Sequence, residues 1–165
     1  MLNRTSHINL SKYFLSLSNE TGSLISNLKL QKLMFYAQAW HLAFFEERLI
    51  DDSFQAWVHG PVLPNSYREY RQFGWKPIIK EELDKAFIDD FCTDVVEPEQ
   101  CELLNDVVEE YFGLNAYQLE KLTHSEAPWI LARGELAPDE PSENVITDES
   151  MIDYYQQFVV RGQEF

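Results

Sequence analysis

The chain has 165 residues, 45% of them hydrophobic and 14% aromatic, which is enough apolar material for one well-filled core and argues against a disordered class. Its formal net charge is -15, so it should repel phosphate backbones; direct nucleic-acid binding is not expected, and the acidity suits either plain solubility or a basic protein partner. No apolar run approaches the roughly 18 residues a membrane span needs, and residues 1–9 lack the charged-then-apolar layout of a secretory signal, so a single cytoplasmic domain over residues 1–165 is expected.

The charge is uneven. Residues 1–80 carry nine Lys or Arg against six Asp or Glu, whereas residues 81–110 carry twelve acids against Lys85 alone. Cys92 and Cys101 form neither a CxxC pair nor a metal-spaced set, and both read as reduced thiols.

A first helix is predicted over residues 7–18, capped by Ser6 and broken near Gly22. The strongest periodicity follows over residues 28–45, where Leu30, Leu33, Met34, Ala37, Trp40, His41 and Phe44 recur at three- and four-residue steps; this should be the central helix. Phe54 to Val58 alternates as a short strand stopped by Gly60-Pro61, which places Trp57 in the core. Pro64 suits the first turn of a helix reaching about Phe73, with Gly74 as its stop. A short strand is expected at Pro77 to Lys80, with irregular or helical structure after it.

The next helix, Pro98 to Phe112, places Leu103, Leu104, Val107, Val108 and Tyr111 on one face. Glu99, Glu102, Asp106, Glu109 and Glu110 fall within about 100° of arc largely opposite, with no lysine among them. Such a face is either solvated or a steering surface for a basic partner. Asn115 and Gln118 resemble a capping box for a helix to Leu122, Pro128 sits near the start of another, and Thr147 can cap a last helix carrying Met151, Ile152, Tyr155 and Val159. The fold class is therefore mainly α, with a small two- or three-stranded sheet.

The histidines offer no assembled chemistry. His41 lies on the apolar face of the central helix, without a second ligand four residues away, and reads as a buried structural residue. His59 precedes Gly60-Pro61 and suits a backbone contact or a pocket lining. In Thr123-His124-Ser125-Glu126 the groups of a triad are adjacent in sequence, whereas a triad needs them to converge from different segments; capping of the next helix explains them better. No catalytic residue, metal ligand or cofactor site is predicted. Trp75 and Trp129, each beside a glycine or proline, suit either a core position or a contact with a partner, and join the five acids as candidate partner-binding residues.

Three fragments together resemble one family. Leu28 to Gln38 (LKLQKLMFYAQ), Phe54-x-Ala-Trp-x-His-Gly-Pro-Val62 followed by Pro64 and Tyr67, and Leu122-Thr-His-x-Glu-x-Pro-Trp129 followed by Ala132-Arg133 look like the Panacea antitoxin domain, in the family's order and over nearly the whole chain. The resemblance implies a mostly helical, non-enzymatic protein encoded beside a toxin gene, often on a mobile element such as a prophage. Its partner would be a cognate protein toxin, neutralised by contact or, as in some members, delivered to a cytosolic protease. The motif residues Trp57, His59, Gly60, Pro61, His124 and Pro128 would act as fold determinants, with Gly60-Pro61 forcing a turn. Two other readings stay open: a mobile-element protein that blocks a host factor through its acidic surface, and a hydrolase using His59 or His124.

Overall fold

The computed structural model describes residues 2–163. Helix α1, His7–Thr21, starts at Ser6, whose hydroxyl accepts from the Asn9 amide at 3.0 Å, and closes at Gly22 with φ 72. Helix α2, Asn27–Phe45, is capped by Ser26 and ends at Glu46, which takes the left-handed conformation itself, φ 55.

α2 is the axis of the molecule. It packs most extensively against the helices Asp148–Gln163 and Pro98–Tyr111, and also touches α1, the helices Pro64–Glu69 and Ala116–His124, and the hairpin of residues 55–62. Leu30, Leu33, Met34, Phe35, Tyr36 and Ala37 are almost wholly buried, so this stretch is covered on all sides rather than along one stripe. Each large apolar side chain so buried contributes about 1.5–3 kcal/mol. The polar residues that come with full burial staple neighbouring segments. Gln38 accepts from the amides of Leu49 and Ile50 and donates to the Ile50 carbonyl, while Gln31 accepts from the Leu63 amide and donates to Ser66. The Lys29 ammonium donates to the Phe112 carbonyl at 2.6 Å. Phe44, placed on the apolar stripe by periodicity, is instead 47% exposed, although its neighbours His41, Leu42 and Ala43 are buried.

Strand β1, Gln55–Trp57, pairs antiparallel with β2, Gly60–Val62, in the register Ala56 opposite Pro61. The turn falls at Val58 and His59, so Gly60-Pro61 does not make the turn but opens the returning strand. Helix α3, Pro64–Glu69, begins at its proline and passes into a 3-10 turn at Arg71–Phe73 that Gly74 ends. The strand expected at Pro77 to Lys80 is absent: Ile78 donates a single backbone bond to Ile25, and Pro77 has no amide proton to extend a ladder.

Helix α4, Lys85–Asp90, runs into a π-helical turn at Phe91–Val95. Helix α5, Pro98–Tyr111, follows with a capping box between Glu97 and Gln100. The reversal at Val96 brings Cys92 and Cys101 to a Cα separation of 5.5 Å, and the two are disulfide-bonded. This corrects the expectation of two free thiols, which rested on spacing alone and did not foresee the chain reversal. Helix α6, Ala116–His124, has the predicted Asn115–Gln118 capping box, and α7, Ala127–Arg133, carries Pro128 in its first turn. Helix α8, Asp148–Gln163, is capped by Thr147, which accepts from the Ser150 amide at 3.1 Å. The architecture is thus mainly α with a two-stranded sheet, as the patterning predicts. Among the described residues no helix is long and apolar enough to cross a membrane.

Candidate protein-binding surface

The three sequence motifs converge on the hairpin. Trp129 of α7 is 8% exposed and donates its indole N–H to the Trp57 carbonyl at 2.9 Å. One face of its ring stacks on His124 at 3.9 Å, and the Arg133 guanidinium also lies over the ring, 5.0 Å from its centroid. Arg133 ties the same strand to the following loop by donating to the carbonyls of Ala56, Ala137 and Glu140. Below them Gly60, at φ 112, lies so close to Lys32 that a Cβ would stand 2.9 Å from Lys32 Cε and 3.1 Å from Thr123 Oγ1. Glycine is required there both for the backbone angle and for the close approach. Lys32 itself is fully buried; desolvation pushes its ammonium down to about 8 against the opposing pull of Glu120.

These placements revise several sequence expectations. Trp129 is a buried ring, in the core position that the sequence left open beside a partner contact. Trp57 is the converse: half-buried, it packs edge-on against Tyr67 and lines a surface cavity of about 610 Å³ with His59 and Val62, while Phe54 and Ala56 take the inward positions. Thr123 and Ser125 donate to the carbonyls of Glu120 and Leu122 within α6 and so do not cap α7; Glu126 occupies the cap position without a capping bond.

The histidines go to separate environments. His41 is fully buried, with Nε2 facing the Gln100 amide nitrogen at 3.0 Å and Nδ1 at 2.6 Å from the Glu47 carbonyl, which fixes a neutral ring carrying its proton on Nδ1. Burial holds its pKa below the usual histidine value, against the pull of Glu47. His59 is exposed and paired with Glu120 at 2.9 Å. His124 is pushed down by burial, and its Nε2 is buried without a partner among the described residues. Among the described residues no group of three or more His, Cys, Asp or Glu side chains is placed to hold a metal ion.

The five acids of α5, Glu99, Glu102, Asp106, Glu109 and Glu110, are all exposed, and among the described residues none forms an ion pair. Trp75 is 82% exposed and lies on the separate loop after Gly74. Two of the acids, Asp106 and Glu110, also border a groove of about 470 Å³ where α2, α5, α6, α7 and α8 meet. Trp40 and Phe44 come from α2, Tyr111 and Val107 from α5, and Tyr155 and Phe158 from α8. Trp40 donates its indole N–H to the Tyr111 hydroxyl at 2.8 Å, and its ring lies 5.1 Å from that of Tyr155.

Glu126 also lines this groove, though it is only 8% exposed. Its Oε1 accepts from the hydroxyls of Tyr36 at 2.6 Å and Tyr155 at 2.8 Å. Burial raises its pKa above the usual carboxylate value, and the two tyrosine bonds oppose that rise. No lysine or arginine among the described residues pairs with it. Sequence reading missed this groove because its parts lie up to 118 residues apart, from Trp40 to Phe158. The available signals were local: Trp40 and Phe44 are four apart on α2, as are Tyr154 and Phe158 on α8.

Comparison with known proteins places the chain. Residues 30–130 match the family model described as antitoxin SocA-like, Panacea domain, a span that contains the hairpin, α5, α6 and most of the groove. Antitoxin SocA of Caulobacter vibrioides (strain NA1000 / CB15N) is 32% identical over 116 residues, covering 67% of this chain and 61% of that protein. The chain thus spans less than two thirds of that relative's length. No solved structure matches the chain significantly. The buried hairpin cluster is formed by the same motif residues that carried the resemblance, and the chain belongs to the SocA-like antitoxin family with the Panacea domain.

Proposed function

We propose that this chain is an antitoxin that neutralises a protein toxin, encoded by a neighbouring gene, through direct binding. The observation that carries this reading is the family match over residues 30–130, which includes the acidic helix α5 and the adjoining groove. An exposed row of like charges costs a few tenths of a kcal/mol per helical neighbour pair, so five acids without cationic partners among the described residues are more economical if a basic surface meets them. The contact surface is α5 together with the groove it borders, and the toxin surface it meets is basic. The hairpin cluster acts behind it as scaffold.

The test is to express the neighbouring open reading frame with and without this chain. Growth arrest relieved by the chain, with co-purification of the two products and unchanged toxin abundance, supports neutralisation by contact; falling toxin abundance would point instead to delivery to a protease. The triple variant E102Q/D106N/E109Q should associate more slowly and show a flatter salt dependence, because charge steering acts on the association rate and is screened within about 8 Å at physiological salt. An association rate unchanged at low salt would place the contact away from α5.

A further inference from the structure

The groove holds a carboxylate that no lysine or arginine among the described residues neutralises. Glu126 is buried to 8% exposure, both of its tyrosine hydrogen bonds fall on Oε1, and among the described residues Oε2 receives no donor. A buried carboxylate without a cation is costly, and a protein core ordinarily replaces such a group or pairs it. The surroundings are not those of a discarded charge. Trp40, Tyr111 and Tyr155 line the groove together with the carboxylate, Tyr36 stacks on Tyr111 at 3.9 Å, and the acids Asp106 and Glu110 border the opening. The lining supplies negative charge and aromatic faces and, among the described residues, includes no lysine, arginine or histidine.

We propose that this groove is a socket for one arginine side chain of the bound partner protein, with the guanidinium against the aromatic rings, facing Glu126 and flanked by Asp106 and Glu110. Charge complementarity excludes an acidic occupant. A purely apolar occupant would leave Glu126 buried and unpaired. Arginine fits better than lysine because its guanidinium is planar, stacks on aromatic faces, sheds water more readily and carries several N–H donors that can reach Oε2 and a rim acid together. A volume of about 470 Å³ accommodates such a side chain. The tyrosine pair has a positioning role: by holding Oε1 it fixes the carboxylate so that Oε2 is free to accept. The inference rests on the antitoxin reading only for the identity of the partner.

The experiment needs no toxin. The probe is N-acetyl-arginine methylamide, titrated into the ¹⁵N-labelled chain while the Trp40 indole N–H resonance is followed. The neutral isostere N-acetyl-citrulline methylamide and the lysine analogue serve as controls. A saturable shift with arginine, weaker with lysine and absent with citrulline, is expected. Glu126→Gln should weaken arginine binding at least about tenfold, as loss of one charge-assisted bond implies, without lowering the melting temperature, because the amide oxygen can still accept from Tyr36 and Tyr155. E81Q/E82Q, which alters two exposed acids on the loop before α4, outside both α5 and the groove lining, should leave the titration unchanged. If Glu126→Gln fails to fold, the exposed pair D106N/E110Q decides, and there too affinity should fall. No saturable shift with arginine, an equal response to citrulline, an affinity indifferent to Glu126 or to the rim pair, or an equal loss in E81Q/E82Q would each overturn the socket. Toxin rescue by the parent chain with no arginine binding would refute the socket alone, and arginine binding without rescue would refute the antitoxin reading alone.

Discussion

Replacing Trp129 by alanine removes a ring that is 8% exposed, stacked on His124 at 3.9 Å, contacted by the Arg133 guanidinium, and hydrogen-bonded to the Trp57 carbonyl. A large-to-small change at such a site costs about 3–5 kcal/mol. Phenylalanine keeps most of the stacking surface but loses the N–H donor, so Trp129→Phe should cost about 1–2 kcal/mol. Urea unfolding followed by circular dichroism measures both, and rescue of growth against the neighbouring gene product is scored in parallel. The account expects stability and rescue to fall together, alanine well beyond phenylalanine. A Trp129→Ala chain that unfolds at the parental urea concentration yet loses rescue would show that this ring contacts the partner, and the assignment of the hairpin cluster to the scaffold would be wrong.

Gly60→Ala forces a Cβ to within 2.9 Å of Lys32 Cε at φ 112 and should destabilise the chain by about 1–3 kcal/mol, read from the shift in urea midpoint. His41 has a folded pKa below its unfolded value near 6.5, so the unfolded chain binds the extra proton; the contribution of His41 to stability is present above that value and is lost as pH falls through it. Comparing parent and His41→Gln between pH 7.5 and 5.5 should show a steeper loss in the parent, and parallel curves would refute the assignment. Reducing the Cys92–Cys101 bridge with dithiothreitol should lower the melting temperature, since a loop of this length is worth about 3 kcal/mol on chain-entropy grounds; an unchanged melt would show that the bridge contributes nothing.

What the sequence makes legible follows from how far its signals reach. The 3.6-residue periodicity of residues 28–45 and the local caps at Ser6, Asn115 and Thr147 involve only near neighbours, so α1, α2, α6 and α8 are readable directly. The hairpin was half readable. Alternation from Phe54 places Ala56 on the inward face and Trp57 on the other, and the bulk of Trp57 obscured that register. The acids of α5 were read correctly as one exposed face. The groove beside them was not, because Trp40, Tyr111, Glu126 and Tyr155 meet only after four helices have packed. Glu126 in particular looked like a cap residue, and only the hydroxyls of Tyr36 and Tyr155 distinguish it from one.

The central claim is tested most directly by expressing the neighbouring open reading frame from an inducible promoter, with this chain supplied from a second one, and then purifying the chain through an affinity tag. The account predicts arrest by the neighbour alone, normal growth when both are present, and recovery of the neighbour's product in stoichiometric amounts with the chain. Growth arrest caused by this chain alone, or relief of arrest with no complex and no fall in toxin abundance, would contradict it.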